Sequence, residues 1–223
     1  IIRRDERTRK YTEFDDAQRP IGVQLFGADG QRMAEAAKKV IAWKRPDFID
    51  LNFGCPVNKV VSKNGGSSLL RNCPALAEVA SAVVAGVGEQ VPVTGKIRVG
   101  WDNSMINAVE VTGILEDRGI SAVSVHGRTR AQGYSGEADW EIIDACARSV
   151  NIPVVGNGDI TSGNDVERRK TQTDRSARIF RLREHLFSCA RAGDTCFSWR
   201  PREHDSESRG RRSAARSAPR GKS

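Results

Sequence analysis

Phe48–Pro56 reads FIDLNFGCP: a short apolar run that ends in asparagine and opens through Gly54, Cys55 and Pro56 into a polar loop. Phe48–Asn52 has the length and composition of a buried strand. Upstream, Ile21–Phe26 (IGVQLF) is another such run, bounded by Pro20 and Gly27. Between them, Met33, Ala36, Ala37, Val40 and Ile41 fall at helical spacing within Gly30–Lys44. Downstream, Leu76, Val79, Ala80, Val83 and Val84 repeat that period, with Pro74 near the helix start and Gly86 near its end. The rhythm continues with strands at Val93–Ile97, Ser121–His126 and Pro153–Asn157. Helices follow them at Ile106–Asp117, Ala138–Arg148 and Ser162–Lys170. Repeated β-then-α units predict a parallel sheet with helices packed outside. The unusual residues fall in the loops after the strands, where a (β/α) barrel carries its site. A doubly wound sheet shares the alternation, but no G-x-G-x-x-G follows any strand. The expected fold is α/β: an incomplete (β/α)8 TIM-type barrel with five of the eight βα units evident.

The chain has 223 residues, 38% of them hydrophobic and 29% charged, within the soluble globular range. No window approaches the ~18 apolar residues of a membrane-spanning helix, and no membrane partner is expected. Without an initiator Met or a signal-peptide pattern at Ile1–Lys10, the chain reads as beginning within a longer protein. Five cysteines with no C-x-x-C pair argue against a disulfide framework or structural zinc, so a reducing cytoplasm and no metal are expected. The net charge of +8 is unevenly spread. Residues 1–166 carry 20 basic and 21 acidic side chains, leaving 16 basic and 7 acidic for 167–223. The βα rhythm ends with residue 170. Residues 171–223 are rich in Arg, Ser, Ala, Gly and Pro and read as a basic, disordered tail without strands.

Several strand ends carry residues whose chemistry asks for an explanation. Gln24 is polar within an apolar strand and needs a partner. At Cys55, the preceding glycine lets the backbone pass close to a ligand and the following proline fixes the exit. A polar loop after a strand presents a thiol, whereas Cys73 and Cys146 read as small buried hydrophobes. Lys96 lies within a strand, where an unpaired ammonium is costly and an anion or polar cofactor is the natural partner; the alternative is a snorkelling strand-end lysine. His126 ends its strand and is followed by Arg128 and Arg130. Gly156–Ile160 (GNGDI) is a glycine-framed turn able to offer N–H groups to a phosphate. Gln24, Asn52 with Cys55, Lys96, His126 and Asn157 thus converge from five successive strands on one mouth. The set suggests a flat polar cofactor held by amide, lysine and histidine, with a thiol as proton donor.

The run LNFGCPVNKVVSKNGGSSLL (Leu51–Leu70) is preceded by VQLFG and followed by GKIRVGW, SVHGRTR and VVGNGDI. Together these closely resemble the tRNA-dihydrouridine synthases, nearest their bacterial B-type branch, over about residues 1–170. The resemblance implies an FMN enzyme, with NADPH as reductant, that reduces the C5–C6 bond of selected uridines in tRNA. It implies that Cys55 protonates C5 and that Gln24, Lys96 and His126 hydrogen-bond the flavin ring. Asn157, Gly158 and Asp159 would hold its ribityl–phosphate side. Asn52 would contact the uracil, and Arg128 and Arg130 would meet the flavin phosphate or the tRNA backbone. A thiol is a sensible acid, since cysteine ordinarily keeps its proton at neutral pH. The uridine must swing out of the tRNA to reach the flavin.

Against that family, a first strand with a PM-x-G-type turn and a second strand are missing before Ile21. An eighth strand with its Gly-Arg turn and a helical tRNA-gripping domain are missing after Lys170. The expected organisation is therefore a partial flavin-binding catalytic barrel over 1–170, monomeric, and a basic tail over 171–223. That tail reads as out of frame from about Thr171–Arg175 or, alternatively, as a nucleic-acid-binding arm. Two other functions share parts of this pattern: an inactive fragment whose tail binds RNA non-specifically, and a pyrimidine-dehydrogenase-like flavoenzyme acting on free bases.

Overall fold

The computed structural model describes residues 12–172 and the pair Cys196–Phe197. After a 3-10 turn at Asp16–Gln18 come β1 (Gly22–Leu25), α1 (Gly30–Lys44), β2 (Phe48–Asn52), α2 (Asn58–Val61), a 3-10 helix at Gly66–Arg71 and α3 (Cys73–Val87). Then follow β3 (Val93–Arg98), a hairpin of β4 (Gly100–Asp102) and β5 (Met105–Ile106), and α4 (Ala108–Asp117). β6 (Ala122–His126), α5 (Trp140–Ser149), β7 (Val154–Asn157) and α6 (Gly163–Gln172) continue the alternation, and β8 is Cys196–Phe197.

The main sheet runs β7-β6-β3-β2-β1-β8, with β1, β2, β3, β6 and β7 parallel. Those five strands progress in one direction without reversal. A doubly wound sheet reverses at a switch point; this winding is that of a partial barrel. Right-handed crossovers in one sense put the helices on a single face, where α1 packs on α3, α3 on α4 and α4 on α5.

Strand alternation makes the sheet two-sided. Val23, Leu25, Ile49, Leu51, Ile97, Val123 and Val125 are buried toward the helices. Each such side chain contributes roughly 1.5–3 kcal/mol by leaving water. Gly156 sits on this face because a Cβ there would lie 2.6 Å from the Trp140 ring of α5. The other face carries Gln24, Asp50, Thr94, Asn52, Lys96, Arg98, His126 and Asn157 in three registered rows.

Gly86 lies near the end of α3, as expected; the helix runs to Val87 and is closed by Gly88 at φ 59°, and the structure departs from the expected elements at three other places. At Gly86 a Cβ would lie 2.9 Å from that of Ala34, so this glycine serves close helix packing. Ile106 belongs to a hairpin rather than to α4, its turn held by Asp102, whose carboxylate accepts from Ser104 N and Oγ. The polar stretch after β2 contains α2 and a 3-10 helix rather than open loop. Finally, β8 pairs antiparallel with β1, Gly22 opposite Phe197, where no strand was expected. Two residues are too few to show a period-2 signal. The remaining expectations for the tail lie outside the described residues. Among the described residues no helix is long and apolar enough to cross a membrane.

Candidate active site

Asn52, His126 and Asn157 end their parallel strands, Gln24 and Lys96 lie within β1 and β3, and Cys55, Arg128, Arg130, Gly158 and Asp159 follow in the loops beyond the strands. Cys55 is half-buried, in the loop that leaves β2. Asn52 Oδ1 accepts from the backbone N–H of Cys55 at 2.8 Å and of Gly54 at 3.1 Å. From below, Ser67 donates to the Cys55 carbonyl through both N (3.2 Å) and Oγ (2.8 Å). Gly66, at φ 59°, would put a Cβ 2.9 Å from the Cys55 carbonyl oxygen, so the GGSS segment can close against the cysteine only with glycine there. Gln24 joins the same group: its Oε1 accepts from Asn52 Nδ2 at 2.7 Å and its Nε2 donates to Asp50 at 2.6 Å.

Across the sheet, Lys96 is registered with Asn52 and its Nζ lies 3.5 Å from Asn157 Oδ1. His126 is registered between Arg98 and Asn157. Its pKa falls to about 3, first through burial and then through Arg98, Lys96 and Arg128, with Asp159 opposing. The imidazole is therefore neutral at physiological pH, one nitrogen a donor and the other an acceptor.

Asp159, at φ 56°, turns inward: Oδ1 pairs with Arg128 at 2.5 Å and Oδ2 accepts from Ala138 N at 2.6 Å. Burial alone would raise the Asp159 pKa; the Ala138 N–H and Arg128 outweigh it and lower it. Arg128 is itself buried and also donates to the Ser135 and Gly136 carbonyls, so it braces the β6 and β7 loops against each other. Gly158 completes the turn at φ 124°, where a Cβ would lie 2.6 Å from that of Ala138. Arg130 stands apart from the strand-end group, donating to Asn58 at 3.0 Å and lying 4.7 Å over the Trp101 ring.

Three participants were not singled out from the sequence. Asp50 and Thr94 are joined by a 2.7 Å hydrogen bond, and burial raises the Asp50 pKa against the hydrogen bonds from Gln24 and Thr94 and the charge of Lys96. Arg98, 4% exposed, donates to the carbonyls of Gly54, Thr129 and Gly133, tying the cysteine loop to the loop after β6. A polar residue at every second strand position, inward on a barrel, is the signal that marks all three.

Comparison with known proteins bears on this site. The family model described as Dihydrouridine synthase (Dus) matches residues 1–178. The chain belongs to the dihydrouridine synthase family. Over 151 residues it is 50% identical to the probable tRNA-dihydrouridine synthase 1 of Synechocystis sp., covering 67% of this chain and 41% of that protein. It is 49% identical over 143 residues to tRNA-dihydrouridine synthase B of Pseudomonas putida, covering 64% of this chain and 42% of the relative. With the B protein of Pseudomonas aeruginosa it shares 45% over 159 residues, 71% and 47% of the two chains. The chain thus spans less than half the length of these dihydrouridine synthase relatives.

The donor set combines a cationic side with neutral amide and imidazole groups. Lys96, Arg98 and Arg128 crowd His126 against one opposing carboxylate, Asp159, an environment suited to an anionic group. Gln24, Asn157 and the neutral imidazole supply both donors and acceptors to a polar ring. Among the described residues no group of three His, Cys, Asp or Glu is placed to hold a metal ion.

Proposed function

We propose that this chain carries the catalytic centre of a flavin-dependent tRNA-dihydrouridine synthase, which reduces selected uridines in tRNA to 5,6-dihydrouridine. The observation that carries this reading is the position of Cys55. In a dihydrouridine synthase chain, it is held by Asn52 and Ser67 on the same rim as Lys96 and His126. FMN, reduced by NADPH, would supply the hydride to C6 of the base. Cys55 Sγ holds the proton that goes to C5. Lys96, His126 and Gln24 orient the flavin ring, and Asn157, Gly158 and Asp159 line its ribityl–phosphate side. The Asp159 carboxylate is committed to Arg128 and Ala138 N, so its backbone would be the part offered to that group. Asn52 borders the uracil, and Arg130 lies outward toward the tRNA backbone. Arg128 acts by bracing the loops. The setting is a monomer in the cytoplasm.

The test pairs the flavin absorbance of the purified chain with dihydrouridine formation from NADPH on tRNA and on free uracil. Reduction of tRNA uridine supports the proposal. Reduction of free uracil alone assigns the chain to pyrimidine-dehydrogenase-like chemistry. A colourless chain that retains RNA without reducing it is an RNA-binding fragment.

A further inference from the structure

A chain of hydrogen bonds with a fixed sense runs from a buried carboxylate to the cysteine loop. Asp50 Oδ2 accepts from Gln24 Nε2, and Asp50 Oδ1 accepts from Thr94 Oγ1. Gln24 Oε1 accepts from Asn52 Nδ2, and Asn52 Oδ1 accepts from the N–H groups of Gly54 and Cys55. Thr94 donates to Oδ1, and Oδ2 is left as an acceptor, so Asp50 admits Gln24 by the nitrogen end of its amide. The oxygen end of Gln24 then meets Asn52, which must offer its own nitrogen. That leaves the Asn52 oxygen toward the loop. Flipping either amide would set oxygen against oxygen or N–H against N–H, and each mismatch in a buried site is costly.

We propose that Asp50 is a positioning residue for Cys55: it fixes the sense of the Gln24–Asn52 relay and thereby the backbone of the loop that carries the thiol. Asp50 is 5% exposed, so water does not readily replace it as acceptor. The inference rests on the proposed function only for what the loop does; the relay itself is a matter of geometry. Asp50→Asn preserves the sense, because with the donor-only loop N–H groups holding Asn52 its amide oxygen accepts from Gln24 while its nitrogen donates to the Thr94 hydroxyl. Asp50→Leu, of similar size, leaves the Gln24 nitrogen without its acceptor and frees that amide to turn.

The experiment is amide hydrogen exchange of the full chain at neutral pH, read by NMR at Gly54 and Cys55, with Leu76 in α3 as reference. Asp50→Leu speeds exchange at both loop amides by about tenfold or more, the loss of one hydrogen bond's protection, while Leu76 stays slow. Asp50→Asn keeps the parent's protection. Unchanged loop exchange in Asp50→Leu, or equal loss in Asp50→Asn, overturns the proposal. If Asp50→Leu loosens Leu76 as well, Gln24→Met decides: its loop amides must exchange faster against a slow Leu76, and unchanged exchange overturns the relay. A loop released by Asp50→Leu in a protein that never reduces uridine supports the relay and overturns the reaction. Lost turnover with unchanged loop exchange does the reverse.

Discussion

The two halves of the strand-end rim are built from different materials. On the β1–β2 side, Gln24, Asn52 and Asp50 hold the Cys55 loop through hydrogen bonds whose donors and acceptors can be arranged in only one way. On the β3–β6–β7 side, Lys96, Arg98, Arg128 and Asp159 surround a neutral His126, and charge dominates. Directional amides fix a position closely but attract no ligand from a distance. Clustered cations attract an anion and tolerate variation in where it sits. The division suits a reaction that needs one proton donor accurately placed and one large anionic group firmly held. Arg98 joins the halves, its Nε reaching Gly54 at 3.1 Å.

If the halves divide the work this way, their variants fail differently. Cys55→Ala gives the largest effect: uridine reduction falls by at least about 100-fold, the range of a lost general acid, with flavin absorbance and affinity unchanged. Flavin lost together with turnover would show that the cysteine side also anchors the ring. Lys96→Met comes next. Removing one charge-assisted hydrogen bond weakens FMN by about 10- to 100-fold in a fluorescence titration. Exchange at Gly54 and Cys55 stays at parent rates, because the relay's hydrogen bonds run between Asp50, Gln24, Asn52 and the loop N–H groups, while Lys96 acts on Asp50 through its charge. A loosened cysteine loop in that variant would erase the distinction.

Much of this arrangement was legible in the sequence, for reasons that differ by residue. The parallel strands announced themselves because strands buried on the helix side need apolar residues at alternate positions, and Phe48–Asn52 and Gly30–Lys44 match their expected bounds. Gln24, Lys96 and His126 stood out because a polar group in an apolar strand demands a partner. Asp50 and Arg98 obey the same rule, but each sits within two to five residues of a more reactive cysteine or lysine in the same motif. Their partners are Gln24, some 26 positions away, and the Thr129 and Gly133 carbonyls, which no local pattern can indicate. Arg128 is the instructive contrast: nothing in its own loop indicates the pairing with Asp159, brought in by β7, that accompanies its burial. The hairpin after β3 is not legible in the sequence because strands of two or three residues carry no periodicity.

The smallest predicted effect tests the cationic half alone. His126 is held at a pKa of about 3, by burial first and by Arg98, Lys96 and Arg128 after it, against an ordinary value of 6.5. A lowered folded-state value means that the unfolded chain takes up a proton which the folded chain refuses. The stabilising contribution is therefore complete above about pH 6.5 and is lost as pH falls toward about 3. Between about pH 7 and pH 5.5 this amounts to about 1 kcal/mol. The unfolding free energy of the parent, from urea titration, should fall by that amount across the interval, and that of His126→Gln should not. Carboxylates contribute little to the difference: Asp159 and Asp165, with lowered values, lose their protons' discrimination further down in both proteins. Asp50, raised by burial, acts in the opposite sense and is likewise common to both. An identical pH dependence in parent and variant would mean that the folded protein does protonate His126, and that Lys96, Arg98 and Arg128 do not impose its charge. The β3–β6–β7 half would then be held together, like the other, by hydrogen-bond direction rather than by its cations.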